Sequence, residues 1–345
     1  MTEPPKPIRV LVVDDSAFAR KVLREALSQS PALEVVGIAR DGLEALEKIA
    51  ELAPDVVTLD LVMPNLDGLG VLRALPPEGG PRVVVVSISD AKSALGVEAL
   101  QRGATDLVQK PTALATDRLY ELSGELVAKV INAAHSRKVT IEPAAAPVEL
   151  PARGVASAGV RLIAIGTSTG GPQALTRLLT ALPRDLPCAV AVALHIPIGY
   201  TEALARRLDE ACAVRVFEAW EGATIPPGSV AIARGGAHLR VTDEAGTLTA
   251  RVGHNPLTAP FCPSVNVLFE SAAALGPATL GVVLTGMGDD GLLGAHAIRD
   301  AGGRILTEAE SSSVVYGMPR VVREAGLAIG EARIEGMAEA ILRYI

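Results

Sequence analysis

Two sets of side chains in this sequence can do chemistry, and the members of each set close apolar runs. In the first half they are Asp14, Asp15, Asp60, Ser87 and Lys110, which end "IRVLVVDD", "DVVTLD", "RVVVVS" and "TDLVQK". Three carboxylates brought to one edge repel one another unless a hard cation holds them, and oxygen ligands with retained water suit Mg²⁺. One of the three can then attack phosphorus to form an acyl phosphate. Lys110 would offset charge on the phosphoryl oxygens, and the Ser87 hydroxyl would bond to one of them. Each residue alone has an ordinary reading: Asp15 or Ser16 as a helix cap, Asp60 as a strand-end acid, Lys110 as a solvated charge. Their joint arrival at one edge is what singles them out.

The second set centres on "AIGTSTGGP" at 164–172, where Ser168 sits in a GxSxG pattern at a strand-to-helix turn. Such a turn lifts the hydroxyl above a sheet and points the following helix's N–H groups at it. Those groups can stabilise an oxyanion or cradle a phosphate, and a plain turn stays open too. A dinucleotide site is disfavoured because the spacing is not GxGxxG and the next strand ends in His195 rather than an acid. A P-loop would need a lysine, and from Val160 onward there is none. A serine nucleophile needs a base, and the base needs an orienting acid. His195 ends the strand after the Ser168 turn, and Asp289 and Asp290 follow "GVVLTGMG", again at a strand's end. His296 lies about 9 Å further along the next helix, away from that edge. Ser168, His195 and an aspartate near 290 form the triad that one edge can assemble.

Both sets demand parallel sheets to present them. Residues 8–133 alternate five apolar β-branched runs with five stretches of helical periodicity, which predicts a doubly wound, flavodoxin-like parallel sheet. Each run is apolar enough to be covered on both faces. Ligands of such sheets bind beyond the carboxyl ends of the strands, near the switch point in strand order. Residues 143–159, "PAAAPVELPARGVASAG", carry no periodicity and read as a semi-extended linker. From Val160 a second strand–helix alternation begins, interrupted at 228–252 by closely spaced turn signals that predict antiparallel hairpins. The expected organisation is a domain at 1–133, a linker at 134–159 and a second, mostly parallel α/β domain at 160–345. At 49% hydrophobic but only 3% aromatic residues, the cores must be built from Val, Leu, Ile and Ala.

Composition narrows the function. A net charge of −7 predicts no general affinity for polyanions. In the second half acids outnumber arginines, so that half is no basic DNA-binding module. Three scattered cysteines without a CxxC pair argue against disulfides or zinc and fit a reducing cytosol. The N-terminus lacks a signal-peptide stretch, and no run approaches the roughly 18 apolar residues of a membrane helix. The expectation is a soluble cytoplasmic protein with no nucleic-acid partner and no membrane insertion.

The motifs also carry a family resemblance. "VLVVDDSAFARKVL", "DVVTLDLVMPNLDGL" and "VSIS" followed by "DLVQKP" resemble the receiver domain of bacterial response regulators. That resemblance implies Asp60 as phospho-acceptor, Asp14 and Asp15 with Asp60 as Mg²⁺ ligands, Ser87 and Lys110 as the switch pair, and a sensor histidine kinase as phosphodonor. "IGTSTGGPQAL", "HIPIGYT", "PSVNVLFESAA", "LTGMGDDG" and "AESSSVVYGMPR" resemble the catalytic domain of the chemotaxis protein-glutamate methylesterases, the CheB family, which joins the two domains in this order. It implies Ser168 as nucleophile, His195 as base, Asp290 as orienting acid, and Thr169 and Met287 on the oxyanion side. The implied reaction is hydrolysis of glutamate γ-methyl esters on chemoreceptor helices, releasing methanol, with deamidation of receptor glutamines by the same chemistry and no cofactor at the esterase site.

Two segments depart from the family pattern. "GHNPLTAPFC" lacks the basic residues usual before "PSV", and Asn266 stands where an aspartate is usual. Both are expected on the substrate side, away from the triad. Two other functions compete with the hydrolase: a catalytically silent, phosphorylation-dependent binder of receptors or their kinase, and a DNA-binding response regulator.

Overall fold

The computed structural model describes residues 6–76, 79–87, 93–110, 116–137 (side chains from Ser123) and 159–345. The chain divides into two compact units, Met1–Ile141 and Glu142–Ile345. Most of the expected linker, residues 138–158, lies outside the described residues, as do residues 88–92.

In the first unit, β1 (Ile8–Val13), β2 (Leu33–Ala39), β3 (Val56–Leu59), β4 (Arg82–Ser87) and β5 (Asp106–Gln109) form a parallel sheet in the order β2-β1-β3-β4-β5. Helices α1 (Ala17–Leu27), α2 (Gly42–Leu52), α3 (Gly68–Ala74), α4 (Ser93–Gln101) and α5 (Thr116–His135) alternate with the strands. Valine-rich β1, β3 and β4 are buried along their length or nearly so, and with Leu23, Leu27, Leu126 and Val130 they build one core. β2 departs from the expectation that every strand is covered on both faces. It is an edge strand with Glu34 and Ile38 exposed, and no strand among the described residues pairs with its outer side. The order reverses direction between β1 and β3, so Asp14 and Asp60 leave the sheet on either side of the switch point.

The second unit holds a seven-stranded parallel sheet. Its strands are β6 (Leu162–Thr167), β7 (Ala189–Leu194), β8 (Arg215–Glu218), β9 (Ser229–Ile232), β12 (Thr279–Val283), β13 (Arg304–Glu308) and β14 (Gly330–Ala332), in the order β14-β13-β12-β6-β7-β9-β8. The antiparallel pair is β10 (His238–Glu244) with β11 (Thr247–Gly253), turned by Ala245 and Gly246, both at positive φ. The segment read as hairpins is thus divided. Its first strand, β9, is fully buried and joins the large sheet in parallel between β7 and β8. Helices α6 (Gly171–Thr180), α7 (Thr201–Ala211), α8 (Val265–Ala273), α9 (Leu292–Asp300), α10 (Met318–Glu324) and α11 (Ile334–Leu342) complete the unit. The core is rich in alanine, with Ala164, Ala191, Ala231 and Ala250 against Leu268 and Phe269, as the shortage of aromatics requires. No helix among the described residues is long and apolar enough to cross a membrane.

Candidate active site and phospho-acceptor site

In the large sheet the switch point falls between β6 and β12, and the residues that could act on an ester gather beyond those strand ends. Ser168 follows β6 directly. Its N–H donates to the Thr285 carbonyl at 3.0 Å, and its carbonyl accepts from Gly171 N–H at 2.7 Å, which closes a tight turn into α6. Gly170 takes φ +79° at the helix entry, where a Cβ would also strike Val314 at 2.6 Å. Gly286 packs so closely that a Cβ there would lie 2.8 Å from Ser168 Cβ. His195 follows β7, and its N–H donates to the Thr167 carbonyl at 3.1 Å, so its backbone is tied one residue from Ser168.

The His195 ring is held from two sides. Nε2 lies 2.7 Å from Asp290 Oδ2, and Phe261 stacks on the ring with centroids 4.2 Å apart. Nδ1 is buried with no hydrogen-bond partner. Asp290 is 2% exposed. Burial pushes its carboxyl up, but the bond from His195 and the backbone N–H groups of Asn266 and Val265 outweigh that and leave it below the usual carboxylate value. Its oxygens also accept from Ser264 Oγ at 2.9 Å, Val265 N–H at 2.7 Å and Asn266 N–H at 2.9 Å. These donors are the first turn of α8, whose N-terminal dipole favours a carboxylate there. Asp289, by contrast, is exposed and its carbonyl accepts from Leu292 N–H. His296 is exposed on α9.

Thr169 is buried and its carbonyl accepts from Thr285 Oγ1 at 2.9 Å, while Met287 is 44% exposed beside Gly317. The departures from the family pattern prove to be closer to the site than expected. Asn266 does touch Asp290 through its N–H, and its Oδ1 accepts from Gly291 and Gly294 N–H at 2.9 Å each, capping α9. Phe261 of "GHNPLTAPFC" is the residue stacked on His195. Neither contact follows from the residue types, because each joins positions tens of residues apart. Ser264 also caps α8 by accepting from Val267 N–H.

In the first unit the acids and Lys110 come together at the strand ends. Asp14 is fully buried, Asp60 is 6% exposed and Asp15 is exposed. Lys110 Nζ lies 2.6 Å from Asp14 Oδ2 and 2.7 Å from Asp60 Oδ2. Lys110 N–H donates to the Ser87 carbonyl at 2.8 Å, and Ser87 Oγ is buried without a partner. Burial raises the Asp14 carboxyl above its usual value against the pull of Lys110. Asp14, Asp15 and Asp60 each offer an oxygen, all within 4.8 Å of one another. Hard oxygen donors open to water on the Asp15 side fit a divalent cation such as Mg²⁺.

A family model described as CheB methylesterase matches residues 163–341. The chain belongs to the CheB family. A second model, the response regulator receiver domain, matches residues 10–121. Curated members include a protein-glutamate methylesterase/protein-glutamine glutaminase of Myxococcus xanthus, 60% identical over 98% of each chain. One of Geobacillus kaustophilus with the same name is 42% identical over 99% of each. The crystal structure of the Thermotoga maritima CheB methylesterase catalytic domain is 33% identical and covers 54% of this chain and 98% of its own, with a TM-score of 0.52. CheB membership favours the regulated hydrolase over both a silent binder and a DNA-binding regulator.

Proposed function

We propose that this chain hydrolyses glutamate γ-methyl esters on the cytoplasmic helices of chemoreceptors, and deamidates receptor glutamines, with Ser168 as nucleophile, His195 as base and Asp290 as orienting acid. The observation that carries this reading is the 2.7 Å bond from His195 Nε2 to Asp290, made at the sheet edge that also holds Ser168. With Nε2 engaged, Nδ1 is the nitrogen left to take the Ser168 proton. Ser168 Oγ then bonds to the ester carbonyl carbon, whose oxygen becomes an oxyanion. Collapse breaks the carbon–methoxy bond, and Nδ1–H protonates the departing oxygen to give methanol. Water, deprotonated by the same nitrogen, attacks the acyl-serine and releases glutamate. A glutamine follows the same course with ammonia as leaving group. The family resemblance assigns Thr169 and Met287 to the oxyanion side; Ser168 N–H donates to the Thr285 carbonyl instead. The steps need no cofactor.

Asp60 is assigned as the acceptor of a phosphoryl group from a sensor histidine kinase, its carboxylate oxygen displacing the histidine nitrogen at phosphorus. Asp14, Asp15 and Asp60 would hold Mg²⁺, which when bound neutralises charge on the phosphoryl oxygens. The unpartnered Ser87 hydroxyl and Lys110 form the switch pair. Residues 1–133 are the receiver, 134–159 a linker and 160–345 the catalytic domain, in a cytoplasmic protein. Methanol release from methylated receptor membranes, with and without a small phosphodonor, tests the reading. Binding to receptors without any methanol release would leave the silent binder instead.

A further inference from the structure

Glu308, at the end of β13, is 1% exposed and takes no part in the chemistry above. Its Oε2 accepts from Thr285 N–H at 2.8 Å and its Oε1 from Ser312 Oγ at 2.9 Å. Thr285 in turn clasps three consecutive residues of the nucleophile turn. Its carbonyl accepts from Thr167 Oγ1 at 2.8 Å and from Ser168 N–H at 3.0 Å, and its Oγ1 donates to the Thr169 carbonyl at 2.9 Å. The same hydroxyl accepts from Val315 N–H at 2.9 Å. Every polar atom of Thr285 is therefore engaged, and the bond that anchors its own N–H ends on Glu308.

We propose that Glu308 is a positioning residue for the nucleophile, holding the Ser168 turn through Thr285. The inference rests on the assignment of Ser168 as nucleophile. The charged groups that face Glu308 are Glu335 from α11 and Arg177 from α6, which pair with each other at 3.3 Å. Burial, with a smaller push from Glu335, raises the carboxyl to about 7 against the pull of Thr285, Ser312 and Arg177. Both proton states have partners. As the acid, Glu308 donates to Ser312 Oγ, whose own hydrogen turns to the Ala309 carbonyl at 3.3 Å while Ile334 N–H still donates to that oxygen at 3.0 Å. As the anion it is a buried charge, which favours opening of the contacts that bury it. The acid form keeps the clasp closed.

The test compares the full chain with Glu308→Gln and Glu308→Ala. A glutamine reproduces the acid form: its carbonyl accepts from Thr285 N–H and its amide donates to Ser312 Oγ. The first readout needs no substrate. The Ser168 amide resonance of the wild type should show a titration step near neutral pH that Glu308→Gln lacks. The second readout is kinetic. Glu308→Ala, which leaves Thr285 N–H unpaired in the interior, should lower kcat for methanol release roughly 10–100-fold at unchanged KM. Glu308→Gln should restore most of that loss. Wild-type kcat should fall relative to Glu308→Gln as pH rises, by roughly tenfold one unit above the carboxyl midpoint, where a tenth of the acid form remains. The inference is overturned if the amide step persists in Glu308→Gln, or if both variants lose kcat alike with the wild-type pH profile. If the wild type releases no methanol at any pH, the hydrolase reading fails and the amide titration alone decides the role of Glu308.

Discussion

Asp290 accepts from a ring nitrogen, a hydroxyl and two backbone N–H groups. The arrangement fixes the carboxylate as an anion and aims one oxygen at His195. Replacing it with asparagine puts an amide where four donors converge, so Asp290→Asn should cost on the order of 10⁴-fold in kcat, as loss of the orienting acid does in a serine protease triad. Loss of Ser168 or His195 should cost about 10⁶-fold. Asp289→Asn should do far less, since the side chain of Asp289 is exposed. Steady-state methanol release by the four variants checks the order, and a Asp289→Asn more severe than Asp290→Asn would reverse the assignment within the pair. Asp14, Asp60, Ser87, Lys110, Ser168 and His195 were legible because each ends or directly follows a strand, where residue type and sheet topology together restrict what it can meet. Asp290 lies well past β12, at the start of α9, and was singled out within its pair by the family resemblance. Phe261, Ser264 and Asn266 were not legible, because the contacts they make with His195 and Asp290 depend on how α8 and its preceding loop dock, and no local pattern encodes that.

At the scale of elements, α8 and α9 start side by side around one carboxylate. Asn266 on α8 caps α9 by accepting from Gly291 and Gly294 N–H, so the residue that follows Asp290 is fixed by the neighbouring helix. Asn266→Ala should lower stability by about 1 kcal/mol, the usual value of a cap, and should also lower kcat, because Gly291 is bonded directly to Asp290. Thermal unfolding and methanol release measured together check both. A second expectation concerns β13. Glu308 moves from the ordinary value of 4.5 to about 7 on folding, so across that window the native state holds a proton that the unfolded chain has released. Its contribution is complete below about pH 4.5 and is lost as pH rises through about 7. The thermal midpoint of Glu308→Gln should therefore fall less than that of the wild type between about pH 4 and about pH 8, which bracket the window. The strand–helix alternation made β1 to β7 and their helices readable. β8 and β14 escaped because they are short edge strands with charged residues, Arg215, Glu218 and Glu331, where an apolar run would mark a covered strand; β13 was not read either, although it is a buried inner strand.

The whole molecule joins two units that each complete a site of their own, which raises the question of why one chain carries both. An esterase that always acted would strip receptors regardless of stimulus, so a sensory circuit gains only if the receiver restrains it until Asp60 is phosphorylated. The receiver has the parts for two states. Lys110 now pairs with Asp14 and Asp60, and the buried Ser87 hydroxyl lacks a partner that a phosphoryl oxygen would supply. On the proposed assignment, phosphorylation of Asp60 would redirect both, the kind of local charge change that shifts a two-state element. Asp60→Asn should abolish labelling by acetyl phosphate, and EDTA should do the same to the wild type. A fragment starting near Val155 should hydrolyse receptor methyl esters faster than the unphosphorylated full chain, and a phosphodonor should accelerate the full chain while leaving the fragment unchanged. Moving a population from 99% restrained to 99% released needs about 5.5 kcal/mol of differential interaction, so a gain of roughly tenfold, which needs about 1.4 kcal/mol, is the expected scale. Equal rates for fragment and full chain without phosphodonor would exclude restraint by the receiver and leave recruitment to the receptor as the step that phosphorylation controls.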